Sequence, residues 1–171
     1  PFTRSSPAVR DGRVYIGDEE GRMLGFDAAS GKALWAGELG GTISTCPLVC
    51  DDGVLFASDQ GDAALVTHDG AVRWKRPLGA RLAGQPLATQ TQAIVPTERG
   101  VLVLRRADGQ PDPRLVLPES PGKVLSAVPC GDRLFLIAAQ AEVDFRSPPR
   151  TYVTYEGAAI VWGPKPKVEA K

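Results

Sequence analysis

The sequence repeats itself with a period of about 40 residues, and no other feature constrains its fold as strongly. Four prolines mark the repeat: Pro7, Pro47, Pro86 and Pro129, at separations of 40, 39 and 43 residues. Each proline opens a short apolar stretch, which is followed by a turn and a second run rich in apolar residues. Such a period is typical of architectures in which identical units pack on one another, because one unit cannot bury its own apolar surface.

Turn residues divide each of the first repeats into four short runs. Glycines recur in register at two of these turns: Gly21, Gly61 and Gly100 at one, and Gly31, Gly70 and Gly109 at the next. The pairs Asp11-Gly12 and Asp52-Gly53 add hairpin signals between the first two runs. The runs favour β-structure and show no helical spacing. The sequence therefore predicts an all-β chain of four-stranded antiparallel sheets that stack as the blades of a β-propeller.

We expect about four blades, followed by a flexible tail or linker at residues 163–171. The predicted blades span, approximately, residues 5–43, 44–82, 83–123 and 124–162. In the last blade, a polar insertion at 142–150 precedes a third strand at 151–155, a turn at Glu156-Gly157 and a fourth strand at 158–162. In the third blade, the insert at 110–113 displaces the fourth strand toward Val116 or Leu117.

Tryptophan closes the first two repeats at Trp35 and Trp74, and Trp162 is expected at the same position of the fourth. A large aromatic at a repeated position covers the neighbouring blade while its indole N–H reaches a backbone acceptor, so we predict a structural role at the blade interface. Asp27 and Asp69 precede turns, where a short carboxylate accepts hydrogen bonds from backbone N–H groups. We assign these residues to structural turns: Gly21, Gly61, Gly100, Asp27, Gly31 and Gly70.

The sequence predicts no catalytic, cofactor or metal site. The single histidine, His68, lies in a predicted solvent-exposed turn, and one imidazole does not make a dedicated zinc site. Cys46 and Cys50 are four residues apart in a strand, or about 13 Å, which is too far for a disulfide. Cys130 follows a repeat proline and is predicted to be a small buried hydrophobe. No nucleotide-binding loop or zinc-protease helix motif is present.

Charge and hydropathy exclude two classes of partner. Twenty Lys and Arg balance twenty Asp and Glu, so the chain has no net attraction for nucleic acid or an acidic membrane surface. No apolar run approaches the roughly 18–20 residues that a membrane-spanning helix needs. We therefore expect no nucleic-acid partner and no transmembrane segment.

Residues 6–17, continued by 21–24 and 26–35, resemble the pyrroloquinoline-quinone-like (PQQ-like) β-propeller repeat along nearly its whole length. The second unit keeps 46–49, 52–56 and 69–74, whereas the third matches more weakly and the fourth mainly by spacing. The resemblance implies a ring of seven or eight blades, of which this chain supplies about four, whereas a closed ring of four blades is also sterically possible. The same repeat is found in quinoprotein dehydrogenases, in the outer-membrane assembly scaffold lipoprotein and in sensor regions of bacterial kinases.

The resemblance implies three functions. The first is a non-catalytic scaffold that presents loops to a protein partner in a bacterial multi-protein assembly, at the periplasmic or extracytoplasmic side of the cell envelope, with further blades from the same or another chain. The second is a segment of a PQQ-dependent dehydrogenase, which would need PQQ and calcium. This sequence lacks the adjacent cysteine pair of those enzymes and any acidic cluster that resembles their calcium site. The third is a ligand-sensing propeller domain of a receptor or kinase.

Overall fold

The chain folds into antiparallel β-sheets, as the repeat predicts. In the computed structural model, the structure describes residues 2–112, 123–130, 133–144 and 152–162, with side chains described for 2–112. Within these ranges the regular secondary structure consists of β-strands, arranged as four separate sheets. Every pair of neighbouring strands is antiparallel. The predicted all-β fold of four-stranded antiparallel blades is thus confirmed.

The first two repeats each form a four-stranded meander with strands in chain order. The first sheet contains β1 (Ala8–Arg10), β2 (Arg13–Gly17), β3 (Arg22–Asp27) and β4 (Ala33–Glu38). The second sheet contains β5 (Leu48–Cys50), β6 (Gly53–Ala57), β7 (Asp62–Val66) and β8 (Val72–Pro77). The strands are short because glycine-containing turns recur every few residues, and two of those glycines could hardly be replaced. Gly21 and Gly61 have positive φ, and a Cβ on either would collide with a backbone carbonyl of the following connection.

The third sheet has three strands in the described residues, with β10 in the centre. They are β9 (Leu87–Ala88), β10 (Gln92–Thr97) and β11 (Gly100–Arg105). Residues 110–112 begin to pair with β11, through a bridge between Leu104 and Pro111 and a 2.9 Å hydrogen bond from the Asp112 N–H to the Val103 carbonyl. The predicted strand near Val116 or Leu117 lies outside the described residues.

The fourth sheet corrects one prediction from the sequence. It contains β12 (Lys123–Cys130), β13 (Arg133–Asp144) and β14 (Tyr152–Trp162), in that order. The turn predicted at Glu156-Gly157 is wrong, because both residues pair within β14, opposite Gln140 and Ala139. β13 extends to Asp144 and so offers a partner to every residue of β14, and continuous pairing replaces the turn. The predicted insertion at 142–150 accordingly begins inside β13.

Two apolar cores lie between consecutive sheets. In a strand, alternate residues face opposite sides. The central strands of the second sheet, β6 and β7, therefore contribute side chains to both cores. The core between the first and second sheets contains buried Tyr15, Met23, Leu39, Ile43, Val54, Phe56, Ala64 and Val66. The core between the second and third sheets contains buried Leu55, Ala57, Ala63, Leu65, Trp74, Leu78, Ala93, Val95 and Leu104. The second sheet is therefore covered on both faces, as a propeller blade must be.

Candidate functional site

Because each sheet is a meander, its turns alternate between two ends of the molecule. We call one of them the hairpin end. It carries the turn between the first and second strands of each sheet and the turn between its third and fourth strands, such as residues 27–32 and 67–71. The other, the connection end, carries the turns between second and third strands and the links between sheets, such as residues 78–86. The charged and aromatic side chains that the sequence singles out divide between these two ends.

At the hairpin end, a tryptophan joins the first sheet to the second. Trp35 lies on β4, and its indole N–H donates a 3.0 Å hydrogen bond to the backbone carbonyl of His68. The indole packs on Gly70, where an added Cβ would come within 2.5 Å of ring atom Cγ. The same ring meets Phe56 edge-on at a centroid distance of 6.3 Å. Glycine at position 70 therefore provides both a positive φ of 89° and room for the aromatic ring.

The contact recurs between the second and third sheets. The indole N–H of Trp74, on β8, donates a 2.8 Å hydrogen bond to the carbonyl of Arg106. The ring packs on Gly109, where an added Cβ would lie 2.6 Å from ring atom Cδ2. Trp74 is 8% exposed, whereas Trp35 is half-buried. Each indole thus seals a sheet-to-sheet seam by packing on a glycine and bonding a carbonyl of the next sheet.

Trp162 differs from these two tryptophans in its strand position. It lies at the end of β14, opposite Leu134 of β13, and so belongs to the third strand of its sheet. The missing turn at Glu156-Gly157 is the cause, since the predicted third and fourth strands are one strand. The side chain of Trp162 is outside the described part, and its role at a seam stays a prediction.

His68 is not the solvated turn residue that the sequence predicts. It is half-buried, and its Nδ1 lies 2.9 Å from the hydroxyl of Tyr15 in the first sheet. Its carbonyl accepts from Trp35 and, at 2.6 Å, from the guanidinium of Arg13. Arg13 also pairs with Asp69 at 2.8 Å. No local signal reveals this role, because every partner lies at least 33 residues away in the sequence.

A buried arginine occupies the second seam. Arg106 is 6% exposed; one guanidinium nitrogen donates to the carbonyls of Thr89 and Gln90 at 2.7 and 2.9 Å, and the other pairs with Asp52. Arg73 approaches the same carboxylate at 3.1 Å. The Nε of Arg106 has no hydrogen-bond partner among the described residues. The sequence gives no indication of this ion pair, which fastens the β5–β6 turn to the third sheet.

Aspartates shape turns at both ends. Asp27 accepts from the Ser30 backbone N–H at 2.7 Å and from its hydroxyl at 2.6 Å, and these hydrogen bonds lower the pKa of Asp27. Asp18 is 3% exposed. Burial alone would raise its pKa, but hydrogen bonds from the backbone N–H and guanidinium of Arg22 hold the pKa of Asp18 below its ordinary value. Asp18 therefore stays ionised inside the β2–β3 turn.

The described cysteines are free. Cys46 is half-buried and Cys50 is buried, and burial raises the pKa of both thiols. Cys130 ends β12, and its side chain is outside the described part. Reactive cysteines usually have a depressed pKa and an accessible sulfur, so Cys46 and Cys50 have the character of structural residues.

The connection end carries an open polar surface. A cavity of about 340 Å³ lies between the second and third sheets, and its polar lining includes Ser44, Asp59, Arg81, Gln85 and Glu98. The Ser44 hydroxyl donates to Asp59 at 2.5 Å. Beside the cavity, the Gln85 amide accepts from the Cys46 N–H at 3.0 Å and donates to the Cys46 carbonyl at 2.7 Å.

At the connection end of the first seam, a buried serine joins the segment before β1 to the link between the first and second sheets. The hydroxyl of Ser5, which is 5% exposed, donates to the Thr45 carbonyl at 2.8 Å. Sequence reasoning missed the cavity, since its lining residues come from links and turns that lie far apart in the sequence.

Neither a metal site nor a membrane span is evident in the described residues. No group of three or more His, Cys, Asp or Glu side chains there could hold a metal ion. The same ranges contain no helix long and apolar enough to cross a membrane.

Comparison with known proteins places these observations in context. Residues 2–141 match the family model described as outer membrane protein assembly factor BamB. The protein of that name from Moranella endobia is 26% identical over 145 residues, which cover 82% of this chain and 36% of that protein. This chain spans about a third of the length of the curated relatives it matches.

Solved structures share the fold. The crystal structure of BamB from Moraxella catarrhalis superposes with a TM-score of 0.66 at 20% identity, covering 88% of this chain and 52% of that one. The quinohemoprotein alcohol dehydrogenase from Comamonas testosteroni gives a TM-score of 0.64 at 12% identity, covering 81% and 29%. These similarities confirm the propeller fold and the resemblance to the PQQ-like repeat.

Proposed function

This chain belongs to the family of the outer membrane protein assembly factor BamB, and from that membership we propose that it is a non-catalytic scaffold in a bacterial envelope assembly. The observation that carries the proposal is the match of the family model to residues 2–141, which covers most of the chain. The name of the family describes a protein that takes part in assembly at the outer membrane. We therefore propose a location in the cell envelope, on its periplasmic side, and a protein as the partner.

The connection end is the surface we propose for partner binding. Loops that rigid strands hold in place are where propellers and other β-folds carry function. The links between sheets at this end combine an open cavity of about 340 Å³ with exposed polar side chains, including Arg81 and Gln85. At the hairpin end, by contrast, Arg13 and Arg106 are already engaged in joining sheets.

Two observations favour a scaffold over an enzyme. The described side chains contain no cluster of metal-binding type, and the titratable groups with lowered pKa, such as Asp27 and Asp18, serve turns. The likeness to the quinohemoprotein enzyme rests on 12% identity and concerns the fold. Fold alone does not imply activity, because the same scaffold carries many functions.

Site-specific photocrosslinking tests the proposed surface. Benzoylphenylalanine replaces Arg81 at the connection end in one variant and exposed Ala107 at the hairpin end in a matched control. Both are exported to the periplasm of a Gram-negative host. We expect position 81 to crosslink to an outer-membrane assembly component, identified by mass spectrometry, and position 107 to give little product. Equal products from both positions, or products only with unrelated periplasmic proteins, would contradict the proposal.

Cofactor loading tests the absence of catalysis separately. The purified chain is incubated with PQQ and calcium, separated from free cofactor, and examined by absorbance and by a dye-reduction assay with alcohols. We expect no retained cofactor. Uptake of one PQQ per chain, with dye reduction, would replace the scaffold proposal by the dehydrogenase alternative.

A further inference from the structure

The fourth sheet extends further than the others at one end. Its second and third strands, β13 and β14, have 12 and 11 residues, whereas the corresponding strands of the first three sheets have five or six. β12 pairs with β13 only as far as Ala139. Beyond that point β13 and β14 continue as a ladder of five pairs, from Gln140 opposite Glu156 to Asp144 opposite Tyr152. We call these residues, 140–144 and 152–156, the arm.

The arm lies at the connection end. The β12–β13 turn joins the first and second strands of its sheet, and turns of this kind belong to the hairpin end. β13 therefore runs from the hairpin end at Arg133 toward the connection end at Asp144. At about 3.3 Å per residue, the five pairs extend the ladder roughly 17 Å past the last pair with β12. The fourth sheet thus adds an element at the end that we propose for partner binding.

One edge of the arm has no counterpart in the other sheets. On the β14 side, a further strand would take the place that β4 and β8 have in the first two sheets. On the β13 side, residues 140–144 pair within the described ranges with β14 alone, because β12 stops opposite Ala139. Pro118 and Pro121 precede β12 in the sequence, and proline lacks the N–H that a further ladder pair needs. The edge of β13 at 140–144 therefore presents backbone donors and acceptors in line with β12.

The two sides of the arm differ in chemistry. Opposite residues of an antiparallel ladder share a side, and the sides alternate along each strand. Register places four apolar or aromatic residues on one side: Ala141, Val143, Val153 and Tyr155. The other side consists of six polar or charged residues: Gln140, Glu142, Asp144, Tyr152, Thr154 and Glu156. This second side carries the three carboxylates of the arm, which contains no Lys or Arg.

A ladder with these properties favours one kind of third strand. Two strands alone are marginally stable in water, and a third strand stabilises them. The arm of a second copy is a poor candidate, because it would bring carboxylates next to carboxylates. An extended segment in which basic and apolar residues alternate matches both sides. Its basic residues lie beside Glu142 and Asp144, and its apolar residues lie beside Ala141 and Val143.

We propose that the arm binds an extended segment of a protein partner in which basic and apolar residues alternate, and that this segment adds to β13 at 140–144. Main-chain hydrogen bonds to the edge of β13 hold the added strand, and the alternation of its side chains determines which segments bind. The inference rests on the proposed function for the existence of a protein partner, and it names the chemistry of the segment that is bound.

Peptide binding to the full chain tests the proposal without any assembly component. The probe is a fluorescein-labelled heptapeptide of alternating lysine and valine, and the matched peptide alternates glutamate and valine. Fluorescence anisotropy measures both dissociation constants. We expect the lysine peptide to bind at least about tenfold more tightly, because opposite charges on neighbouring strands attract and like charges repel. No binding of the lysine peptide, or equal binding of the two peptides, would overturn the proposal.

A lysine peptide with proline in place of its central valine tests strand addition. This peptide keeps every charge but cannot complete a ladder, so we expect it to bind more weakly than the all-valine version. Equal binding would show that charge attraction alone holds the peptide and would overturn the addition of a strand to β13.

Charge reversal on the arm tests the location. Glu142→Lys combined with Asp144→Lys should reverse the preference, so that the glutamate peptide binds more tightly than the lysine peptide. Glu19→Lys combined with Glu20→Lys makes the same change of charge at two exposed residues of the β2–β3 turn, also at the connection end, and should leave the preference unchanged. Circular dichroism verifies that both variants fold. An unchanged preference in the arm variant would overturn the proposal.

The peptide assay and the crosslinking assay can fail separately. Crosslinking at position 81 without peptide binding would overturn the role of the arm and leave the scaffold proposal standing. Peptide binding that depends on the arm, without crosslinking at position 81, would support the arm and contradict the surface proposed around Arg81.

Discussion

Replacing each seam tryptophan by phenylalanine should destabilise the protein by different amounts. Trp74→Phe removes the indole N–H that donates to the Arg106 carbonyl at 2.8 Å inside a buried seam. That carbonyl receives no other side-chain donor among the described residues, so it is left without its partner. Leaving a buried acceptor unsatisfied costs about 1–3 kcal/mol, and the smaller ring adds a packing loss. We expect a total of about 2–4 kcal/mol.

Trp35→Phe should cost less, for a reason visible in the first seam. The His68 carbonyl also accepts from Arg13 at 2.6 Å, so it keeps a donor when the indole is lost. Trp35 is half-buried as well, so fewer contacts disappear. We expect about 0.5–1.5 kcal/mol, the net value of one ordinary hydrogen bond.

Urea denaturation followed by far-ultraviolet circular dichroism measures both effects without using tryptophan fluorescence. The control is Leu34→Ala, beside Trp35 and 48% exposed, for which we expect a change within about 0.5 kcal/mol. If Trp35→Phe destabilises as much as Trp74→Phe, or if Trp74→Phe matches the control, the seam geometry described above is wrong.

Three further predictions concern turns and thiols. Gly109→Ala should destabilise more than Gly12→Ala in the same urea assay, because both glycines have φ near 70° but only Gly109 has an indole against it; equal losses would contradict this. Asp18 has a lowered pKa, so its stabilising contribution is present above the unfolded-state pKa of about 4 and is lost as pH falls through the folded value. Asp18→Asn should therefore lower stability at pH 7 and flatten its acid dependence, and an unchanged pH profile would refute the role of that carboxylate. Cys50, at 6% exposure, should react with a thiol reagent more slowly than half-buried Cys46, as peptide mapping would reveal; faster labelling of Cys50 would contradict its burial at the end of β5.

The repeat is enough to predict the sheets, because the residues that indicate each strand and turn lie next to it in the sequence. Prolines and glycines at fixed spacing define where strands start and end, and Trp35 and Trp74 fall at the last strand of each unit. Their packing against the neighbouring sheet follows from general properties of aromatic residues. The carbonyls that receive the indoles do not follow, since they lie 32 or 33 residues further along the chain.

Other features depend on tertiary context that no local pattern encodes. His68 is drawn into the seam by Tyr15, and Arg106 is buried by its pairing with Asp52. The cavity at the connection end is lined by residues of two links and two turns, which only folding brings together. At Glu156-Gly157, turn-forming residues lie inside a strand because β13 is long enough to pair with them. In each case packing between distant segments overrides the local preference.

Hydrogen exchange of the indole N–H groups is the most direct test of how the sheets are joined. In the chain labelled with ¹⁵N-tryptophan, Trp→Phe variants assign the resonances, and solvent exchange of each indole proton is followed by NMR. We predict strong protection for Trp74 and measurable protection for Trp35, because both protons are bonded to carbonyls of a neighbouring sheet. Exchange of either proton at the rate of free indole would contradict the account.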